Sequence, residues 1–504
     1  MLHPRRGYNP AMRKAPVLVA AITALFLVGA AGGLVRARAS HGHSVELPST
    51  ITGQAVETAK VDAVFSRWTT TSPGCAVGVG VGGRSMLERA YGMADLEHDV
   101  ANTADTIFEA GSVSKQFTAA AVLLLAADGK LSLDDPVRKY VPELADFGVP
   151  LTIRHMLTHT SGLRDWGNLA GIAGWPRGTR VHTHVHVVEI LGRQRALNFT
   201  PGTRYSYSNS GYNLSAVIVS RVSGMSFAEF SQKRIFQPLG MTRTSWRDDY
   251  TRIVKGRAIA YSGTALRQDM PFENVHGNGG LLTTVGDLLR WNENFVSPKV
   301  GDAAFVATQQ TTGKFPNGAS QTYALGLMIG SYKGLREVSH SGSTAGYRAF
   351  LTRFPDQHVS VAVLCNAGSA NATAAARAVA DLYLAGKTND AAPGRPAPAE
   401  NRGPLTAFTR DDTYKPSAAE LAEFAGTYVS DEIETTLTVE VRDGALVARR
   451  RPETVILFRP HSRDRFEAAG GIGGIVTFHR SGGQVTELGV AQDRVWDLRF
   501  KKAR

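Results

Sequence analysis

The sequence predicts an α/β protein: a sandwich of an antiparallel sheet with flanking helices plus a helical lobe, followed by a small C-terminal antiparallel β domain. Strand-like apolar runs stand on both sides of a mainly helical section, residues 150–300. A stretch rich in Pro, Ala, Asn and Asp, residues 387–416, then interrupts the chain, and short strands separated by Gly turns follow it. At 504 residues the chain is long enough for two folded units with tails.

The first predicted elements are a hairpin and a buried helix. Cys75–Val81 and Ser85–Tyr91 predict two strands joined by a turn of two glycines. The clearest helix of the chain is predicted over Ser112–Ala127. Every residue from 119 to 127 is apolar, so this helix has no solvated face and must lie centrally. Gly129 marks its end.

Further strands and a helix complete this part of the chain. Residues 335–353 and 358–366 predict three strands with polar turns between them. Ala374–Leu384 predicts an Ala-rich helix. Together with the hairpin and the central helix, these elements indicate one folded domain over residues 55–386.

The C-terminal section, residues 417–504, predicts a separate β domain. Residues 387–416 have the composition of a linker. Short antiparallel strands are predicted at 435–441, 446–450, 455–458, 476–479 and 496–500. We expect a small barrel or a sandwich, and its strands show no recognisable site.

Residues 1–39 predict a signal peptide or an N-terminal membrane anchor. Basic residues precede an uncharged apolar stretch, residues 15–31, and Ala37-Arg38-Ala39 fits a cleavage site. The body of the protein is therefore expected outside the cytoplasm, periplasmic or secreted after cleavage and inner-membrane-anchored without it. A disulfide between Cys75 and Cys365 is allowed in that compartment. Each cysteine also fits a buried small hydrophobe, and the spacing does not decide between the two.

The net charge of +12 does not define a nucleic-acid-binding surface. Six basic side chains and no acidic ones lie in residues 1–39, so removing them from the total leaves +6 on the remainder. This surplus suits acidic partners such as cell-wall polymers or anionic lipid. We expect a small-molecule or peptide substrate, such as one derived from the cell wall, and no nucleic acid. Membrane association is expected only with an uncleaved anchor, and the oligomeric state stays open.

Ser112 and Lys115 form the first of three short blocks that indicate acyl transfer. Hydrolysis through a covalent serine needs a nucleophile, a proton acceptor and donors for the oxyanion. Ser112 begins the buried helix, where the positive helix end favours negative charge, and Lys115 lies one turn on, on the same face. In apolar surroundings this lysine should lose part of its preference for the charged form and act as a neutral base. The alternative, a capping serine followed by a solvated lysine, fits such an apolar helix poorly.

The other two blocks supply a second proton carrier and binding groups. Tyr207 and Asn209 lie in a polar loop, where the phenol can carry a proton and the amide can bind a substrate carbonyl. Taken alone, Tyr207 is equally an ordinary aromatic residue of a turn. His340-Ser341-Gly342, followed by Ser343, lies at a predicted strand edge, where glycine permits close approach of a substrate backbone.

The order of these blocks resembles the penicillin-recognising serine hydrolase superfamily, which holds class C β-lactamases, DD-peptidases, D-aminopeptidases and β-lactamase-fold esterases. S-x-x-K, Y-x-N and H-x-G occur in the family's order, and Arg154–Gly162 and Gly279–Thr283 match as well. The resemblance spans roughly residues 60–385 and implies a β-lactamase/DD-peptidase-like fold.

The resemblance also implies roles for individual residues. Ser112 would be the acylated nucleophile, Lys115 and Tyr207 would manage its proton, and the N–H groups of Ser112 and Ser343 would form the oxyanion hole. Which residue is the acylation base is disputed among related enzymes. The implied substrate-binding residues are Asn209, His340, Ser341, Gly342 and Ser343. No metal and no organic cofactor is implied.

His340 departs from the pattern of typical β-lactamases, which carry a permanent cation, lysine, at this position. Histidine there resembles certain DD-carboxypeptidases and D-aminopeptidases and argues against efficient β-lactamase activity. The expected substrates are therefore D-amino-acid peptides first, carboxylic esters second and β-lactams third. A non-catalytic cell-wall or ligand-binding protein with the same fold is the alternative. If His340 binds a substrate carboxylate as imidazolium, KM should climb between about pH 6 and 8.

Other histidine patterns do not predict a metal site. His182, His184 and His186 alternate, but nothing nearby supplies the acid and the spacing of a zinc hydrolase, so we expect a surface loop or helix. His155 and His159 lie four residues apart without the glutamate of a zinc-protease helix, so we expect structural roles. The chain also lacks the G-x-S-x-G motif of α/β-hydrolases.

Overall fold

A computed structural model describes residues 58–389 and 403–504. The expected signal peptide or anchor, residues 1–39, lies outside these ranges, as do residues 390–402 of the expected linker. In the part of the chain that the structure describes, no helix is both long enough and apolar enough to cross a membrane.

Residues 58–389 form an α/β part in which strands and helices alternate. Its strands are β1 (Cys75–Val81), β2 (Arg84–Tyr91), β3 (Met93–Asp95), β4 (Val100–Ala101), β5 (Phe108–Glu109), β6 (Ser245–Trp246), β7 (Tyr261–Ser262), β8 (Arg267–Gln268), β9 (Leu281–Thr283), β10 (Met328–Tyr332), β11 (Leu335–Thr344), β12 (Tyr347–Phe354) and β13 (Val359–Cys365). Its helices are α1 (Thr58–Val64), α2 (Lys115–Ala127), α3 (Ile153–Leu157), α4 (Trp166–Ile172), α5 (His184–Gly192), α6 (Asn209–Ser223), α7 (Phe227–Ser231), α8 (Gln237–Leu239), α9 (Val285–Glu293), α10 (Ala303–Gln310) and α11 (Ala372–Tyr383).

The main sheet is antiparallel and has the strand order β10-β11-β12-β13-β1-β2. Strand β1 shows how both faces are covered, because alternate residues of a strand point to opposite sides. Val77 and Val79 pack in one apolar cluster with Val379 of α11. On the other face Gly78 leaves room for Val285 of α9, which a Cβ at this glycine would approach to 3.1 Å. The predicted sandwich of a sheet with flanking helices is confirmed.

Cys75 and Cys365 lie directly opposite each other on the paired strands β1 and β13, and their sulfur atoms form a disulfide. Both residues are buried. The bond joins positions 290 residues apart in sequence. Of the two alternatives that the sequence left open, the structure has the disulfide.

Helix α2 lies at the centre of the α/β part, as its apolar sequence predicts. A 3-10 turn, Gly111–Ser114, leads into it, so the regular helix begins at Lys115 rather than at Ser112. All residues from Lys115 to Leu125 are buried, including the lysine itself. The surrounding cluster includes side chains from α6 and α9, such as Tyr212 and Trp291.

The C-terminal residues form a closed barrel of eight antiparallel strands. A short helix, α12 (Ala418–Phe424), precedes it. The strands are β14 (Gly426–Ser430), β15 (Thr435–Arg442), β16 (Ala445–Arg450), β17 (Thr454–Ser462), β18 (Arg465–Ala469), β19 (Ile475–Ser481), β20 (Gln484–Gln492) and β21 (Val495–Lys502). Pairing of β14 with β21 closes the barrel, so of the two predicted architectures the barrel is the one formed.

Two arginines join the barrel to the helical lobe. Arg164 donates to the Glu432 carboxylate at 2.7 Å, and both side chains are nearly buried. Arg450 of β16 donates through Nη1 to the carbonyl oxygens of Gly171 and Ile172, at 2.9 and 2.7 Å. These carbonyls end α4, where a positive charge is favourable.

Candidate active site

Ser112 lies on a turn that is held from both sides. Gly111 has φ +51°, and a Cβ there would lie 2.6 Å from the backbone nitrogen of Ser343, so strand β11 requires a glycine at this position. Ser114 donates to the Gly111 carbonyl oxygen at 2.5 Å and accepts the N–H of Leu281 at 3.1 Å. The turn that carries Ser112 is thus fixed between β11 and β9.

Lys115 brings the predicted base to the predicted nucleophile. Its Nζ lies 3.1 Å from Oγ of Ser112, 3.0 Å from Oδ1 of Asn209 and 2.7 Å from the carbonyl oxygen of Asn278. The last two atoms can only accept. In the neutral amine they take both N–H groups, and the lone pair is left for the serine hydroxyl.

The surroundings of Lys115 favour that neutral form. Burial lowers the pKa of Lys115 well below its ordinary value, the charge of Arg494 lowers it further, and Asp165 opposes the shift. The lysine is fully buried, whereas Ser112 is partly exposed in the cavity. A buried amine beside an accessible hydroxyl is the arrangement that general-base activation of a serine requires.

Tyr207 lies over the same lysine, with Nζ of Lys115 4.8 Å from the ring centre. The ring also packs on the imidazole of His159, at 4.1 Å between ring centres. His159 is buried, has φ +57° and accepts the N–H of Ser208 through Nδ1 at 3.2 Å. Burial, together with the nearby Lys115, lowers its pKa well below the ordinary value. His159 is therefore a structural residue, and it positions Tyr207.

Asn209 connects the lysine to the first turn of α4. Besides accepting from Lys115, it donates its backbone N–H to Oδ2 of Asp165 at 2.8 Å. Asp165 also caps α4 by accepting from Gly167 at 2.9 Å. Asp165 thus fixes the backbone of Asn209 relative to α4, and the side-chain amide of Asn209 is held against Nζ of Lys115.

His340 lines the cavity but is almost completely buried, with 2% exposure. Its Nδ1 donates to the Ser341 carbonyl oxygen at 2.6 Å, so Nε2 accepts from the hydroxyl of Tyr323 at 2.8 Å. Burial, with Lys115 adding to it, lowers the pKa of His340 to about 3. The imidazole is therefore neutral at physiological pH and cannot provide the positive charge that a lysine gives at this position.

The rest of the third block forms the rim of the site. Ser341 and Ser343 line the cavity, whereas Gly342 does not. A Cβ at Gly342 would overlap the carbonyl oxygen of Ala110, so glycine is needed there for β11 to reach the serine turn. Gly342 therefore acts through packing rather than through substrate contact.

These residues surround a cavity of about 440 Å³. Of the residues predicted from the sequence it contains Ser112, Tyr207, Asn209, His340, Ser341 and Ser343, with Lys115 buried behind them. Sequence reasoning missed the other lining residues, which are Gly111, Arg177, Tyr205, Asn278, Gly279, Tyr323, Met328, Thr344 and Arg494. Only Asn278 and Gly279 had a signal, since they adjoin or belong to the Gly279–Thr283 motif.

Arg494 enters this cavity from the barrel. It lies on the β20–β21 loop, and its guanidinium carbon is 4.8 Å from the centre of the Tyr207 ring. Its carbonyl oxygen accepts from the N–H of Asp165 at 3.2 Å and from Nδ2 of Asn198 at 3.0 Å. The α/β part thus fixes the barrel loop, and the loop places a permanent cation beside the catalytic groups.

The remaining histidines take part in local hydrogen bonds. Nε2 of His182 lies 3.0 Å from the Trp175 carbonyl oxygen, and Nε2 of His184 lies 2.9 Å from that of His276. His186, near the start of α5, accepts the N–H of Thr183 at 3.1 Å. His182 is buried, contrary to the expected surface position, because its ring packs edge-on against Trp166 and bonds to the Trp175 carbonyl oxygen.

Comparisons with known proteins agree with this architecture. The beta-lactamase family model matches residues 58–386. A D-aminopeptidase from Brucella anthropi is 30% identical over 298 residues, covering 58% of this chain and 56% of its own length. Penicillin-binding protein 4* from Bacillus subtilis is 29% identical over 310 residues, covering 56% of this chain and 66% of its own length. The chain therefore spans little more than half of the first relative and under two thirds of the second.

Solved structures resemble more of the chain. The octameric penicillin-binding protein homologue from Pyrococcus abyssi has a TM-score of 0.57 at 25% identity and covers 88% of this chain and 99% of its own. The D-amino acid amidase from Ochrobactrum anthropi SV3, solved with L-phenylalanine, has a TM-score of 0.55 at 21% identity. It covers 65% of this chain and 97% of its own, and it shows a common fold alone.

Proposed function

Since the chain belongs to the beta-lactamase family, we propose that it is a serine hydrolase that cleaves D-amino-acid-containing peptides through an acyl-Ser112 intermediate. The observation that carries this proposal is the 3.1 Å contact between Nζ of Lys115 and Oγ of Ser112. The similarity to a D-aminopeptidase supports the substrate class. A protein that only binds a ligand would not need a buried lysine paired with an accessible serine.

In the proposed mechanism each group has a defined part in acylation. Oγ of Ser112 attacks the scissile carbonyl carbon while its proton passes to the neutral Nζ of Lys115. The electron pair of the carbonyl moves onto oxygen, which the N–H groups of Ser112 and Ser343 bind. The carbon–nitrogen bond then breaks, and the leaving amine takes up a proton that Lys115 and Tyr207 supply. Water releases the acyl group by the same steps, with water in the place of the amine.

The position of Arg494 favours a substrate that carries a carboxylate near the scissile bond. The buried His340 is neutral, so it cannot provide this charge. Arg494 lies over Tyr207, which in the proposed mechanism helps to return the proton to the leaving amine. A guanidinium binds a carboxylate through two parallel hydrogen bonds. We therefore place the C-terminal carboxylate of a D-peptide against Arg494, which ranks a simple carboxylic ester second.

We also propose that the protein works outside the cytoplasm, because residues 1–39 predict an export signal or an anchor. Cell fractionation and N-terminal sequencing of the mature protein test this. Recovery of the full-length chain from the cytoplasm would contradict it.

Intact-mass spectrometry tests the covalent step. The wild-type protein is incubated with a penicillin and with p-nitrophenyl esters of N-acetyl-D-amino acids, and peptide mapping locates any adduct. We expect acylation of Ser112 and none in Ser112→Ala. Ser331→Ala, a change in the outer strand β10, is the matched control and should be acylated like the wild type. Labelling of another residue, or of none with any donor, contradicts the proposal.

A further inference from the structure

Arg177 is a second arginine in the catalytic cavity, and a carboxylate fixes its direction. It lies on the loop between α4 and α5. Its Nε lies 3.0 Å from each oxygen of Glu273, and its Nη2 bonds to the same carboxylate. The side chain of Glu273 is 5% exposed, while that of Arg177 is 33% exposed. The pair thus presents a guanidinium to the cavity from a buried anchor.

A chain of alternating charges stands behind this anchor. Glu273 lies 4.0 Å from Nη2 of Arg247, and Nε of Arg247 lies 2.8 Å from the Glu109 carboxylate. Arg247 and Glu109 are 1% exposed. Burial raises the pKa of Glu273, but Arg177 and Arg247 outweigh it and keep the net shift downward. The Glu273 carboxylate therefore stays ionised and holds Arg177 in place.

The stem of Arg177 is packed as well. Its Cδ would lie 3.1 Å from a Cβ at Gly167, and its guanidinium carbon lies 5.6 Å from the ring centre of Trp166. Glu273 occupies the edge formed by Nε and Nη2. Among the described residues Nη1 forms no hydrogen bond, so this end can donate to a ligand.

Arg177 and Arg494 both contact the start of α4, at Gly167 and at Asp165 respectively. The Asp165 N–H binds the Arg494 carbonyl oxygen, and Gly167, which follows Asp165 on α4, packs against the Arg177 stem. One guanidinium lies over Tyr207 and the other beside Trp166, so the two occupy separate positions. Two cations that line one cavity suit two anionic groups on one substrate residue.

We propose that Arg177 is a specificity-determining residue that binds the side-chain carboxylate of an acidic C-terminal D-residue, while Arg494 binds its α-carboxylate. Glu273 is the positioning residue that directs Arg177. This inference rests on the proposed function and narrows its substrate class to peptides that end in a D-dicarboxylic residue.

Binding to the Ser112→Ala variant tests the inference without any turnover. Calorimetry compares the affinities for N-acetyl-D-Ala-D-Glu and N-acetyl-D-Ala-D-Gln. The two peptides differ only in the terminal side chain, which carries a carboxylate in the first and an amide in the second. We expect the D-Glu peptide to bind at least about tenfold more tightly, as one charge-assisted hydrogen bond provides. Adding Arg177→Gln should reduce this preference to about twofold or less, because the remaining side chain carries no charge.

Two further variants complete the experiment. Arg180→Gln, in the same loop but stacked on Trp175, is the matched control and should keep the preference. The double variant Arg177→Gln/Glu273→Gln leaves no unpaired buried carboxylate, so it reports on the preference if Arg177→Gln alone does not fold. Equal binding of both peptides to Ser112→Ala, or an undiminished preference without Arg177, overturns the inference. Failure of the proposed function is a separate result: a wild-type protein that binds the peptides but forms no acyl-Ser112.

Discussion

Arg494 and Tyr207 lie nearly 300 positions apart in sequence, yet the guanidinium carbon of Arg494 is 4.8 Å from the centre of the Tyr207 ring. The contact makes a barrel residue part of a cavity whose other catalytic groups come from the α/β part. The barrel thus contributes a lining residue to the candidate active site, although its own strands carry none of the predicted catalytic residues.

Replacing Arg494 by Gln should weaken binding of peptides that end in a free carboxylate. We expect KM for a D-Ala-D-Ala dipeptide to rise about tenfold or more, the effect of losing one charge-assisted hydrogen bond. The C-terminal amide of the same dipeptide has no such contact to lose, so its KM should change less. Steady-state kinetics on both substrates measure the difference, with Arg442→Gln on the barrel surface as the control. An equal rise for acid and amide would contradict the assignment.

Lys115→Arg should abolish most activity although it keeps a positive charge. Guanidinium does not lose its proton in proteins, so the base role disappears while a purely electrostatic role would survive. We expect kcat/KM to fall by about 10² or more, the usual range for loss of a general base. Lys233→Arg, at an exposed lysine that pairs with Glu229, is the control. Near-normal turnover by Lys115→Arg would show that another group takes the serine proton.

The pH dependence expected from His340 is corrected by its burial. From the sequence, KM for a carboxylate-bearing peptide should climb between about pH 6 and 8, around an ordinary pKa near 6.5. With the pKa lowered to about 3, the imidazole stays neutral over that window. We now expect the KM of the acid to follow that of its amide between about pH 6 and 8. The original expectation would be restored if KM rose with pH for the acid alone and if His340→Gln removed that rise.

The same burial predicts loss of stability in acid. The pKa of His340 is lower in the folded chain than in the unfolded chain. Below about pH 6.5 the unfolded chain therefore binds a proton that the folded chain does not, and the free energy of unfolding decreases as the pH is lowered. Each such histidine adds a slope of about 1.4 kcal/mol per pH unit. In urea unfolding at pH 4 to 6, His340→Gln should therefore show a shallower loss than the wild type. His98, exposed beside Asp95 with a raised pKa, is the control whose removal should not make the loss shallower.

The barrel should depend on the buried ion pair of Arg164 and Glu432. Glu432→Gln leaves an arginine buried without its carboxylate and should lower the free energy of unfolding by about 3 kcal/mol. Because the pair holds the barrel on the lobe, the preference for peptides with a free carboxylate should fall too. Asp412→Asn breaks the exposed pair with Arg410 and should change stability by less than about 0.5 kcal/mol. Thermal unfolding and the acid-to-amide ratio of kcat/KM measure both effects, and equal changes in the two variants would contradict this role.

Sequence reasoning succeeded where the geometry is local. Ser112 and Lys115 are three residues apart on one turn, so their contact follows from helix geometry once the apolar helix is recognised. The hairpin of β1 and β2 and the final helix of the α/β part follow from periodicity in the same way. The polar loop also indicated Asn209 as a binding group, but its contact with Lys115 joins residues 94 positions apart and was not predicted.

Sequence reasoning failed where the position of a side chain depends on how distant segments of the chain pack together. Arg494 and Arg177 lie in loops without a pattern. Asn198 and Asp165 hold the backbone of Arg494, and Glu273 directs the side chain of Arg177. The charge state of His340 depends on burial among residues from other elements. Closure of the barrel depends on two residue pairs between β14 and β21, which alternation within either strand does not show.

Asp165 holds the Arg494 loop with its N–H and the Asn209 backbone with its carboxylate. In the proposed mechanism, bond-making chemistry and the choice of leaving group therefore reside in different segments of the chain that meet at one aspartate. Changes in the short loop between β20 and β21 can exchange one leaving group for another while the serine and lysine keep their positions, although the pKa of Lys115 responds to the charge of Arg494. For an engineer, that loop is the place to begin a library.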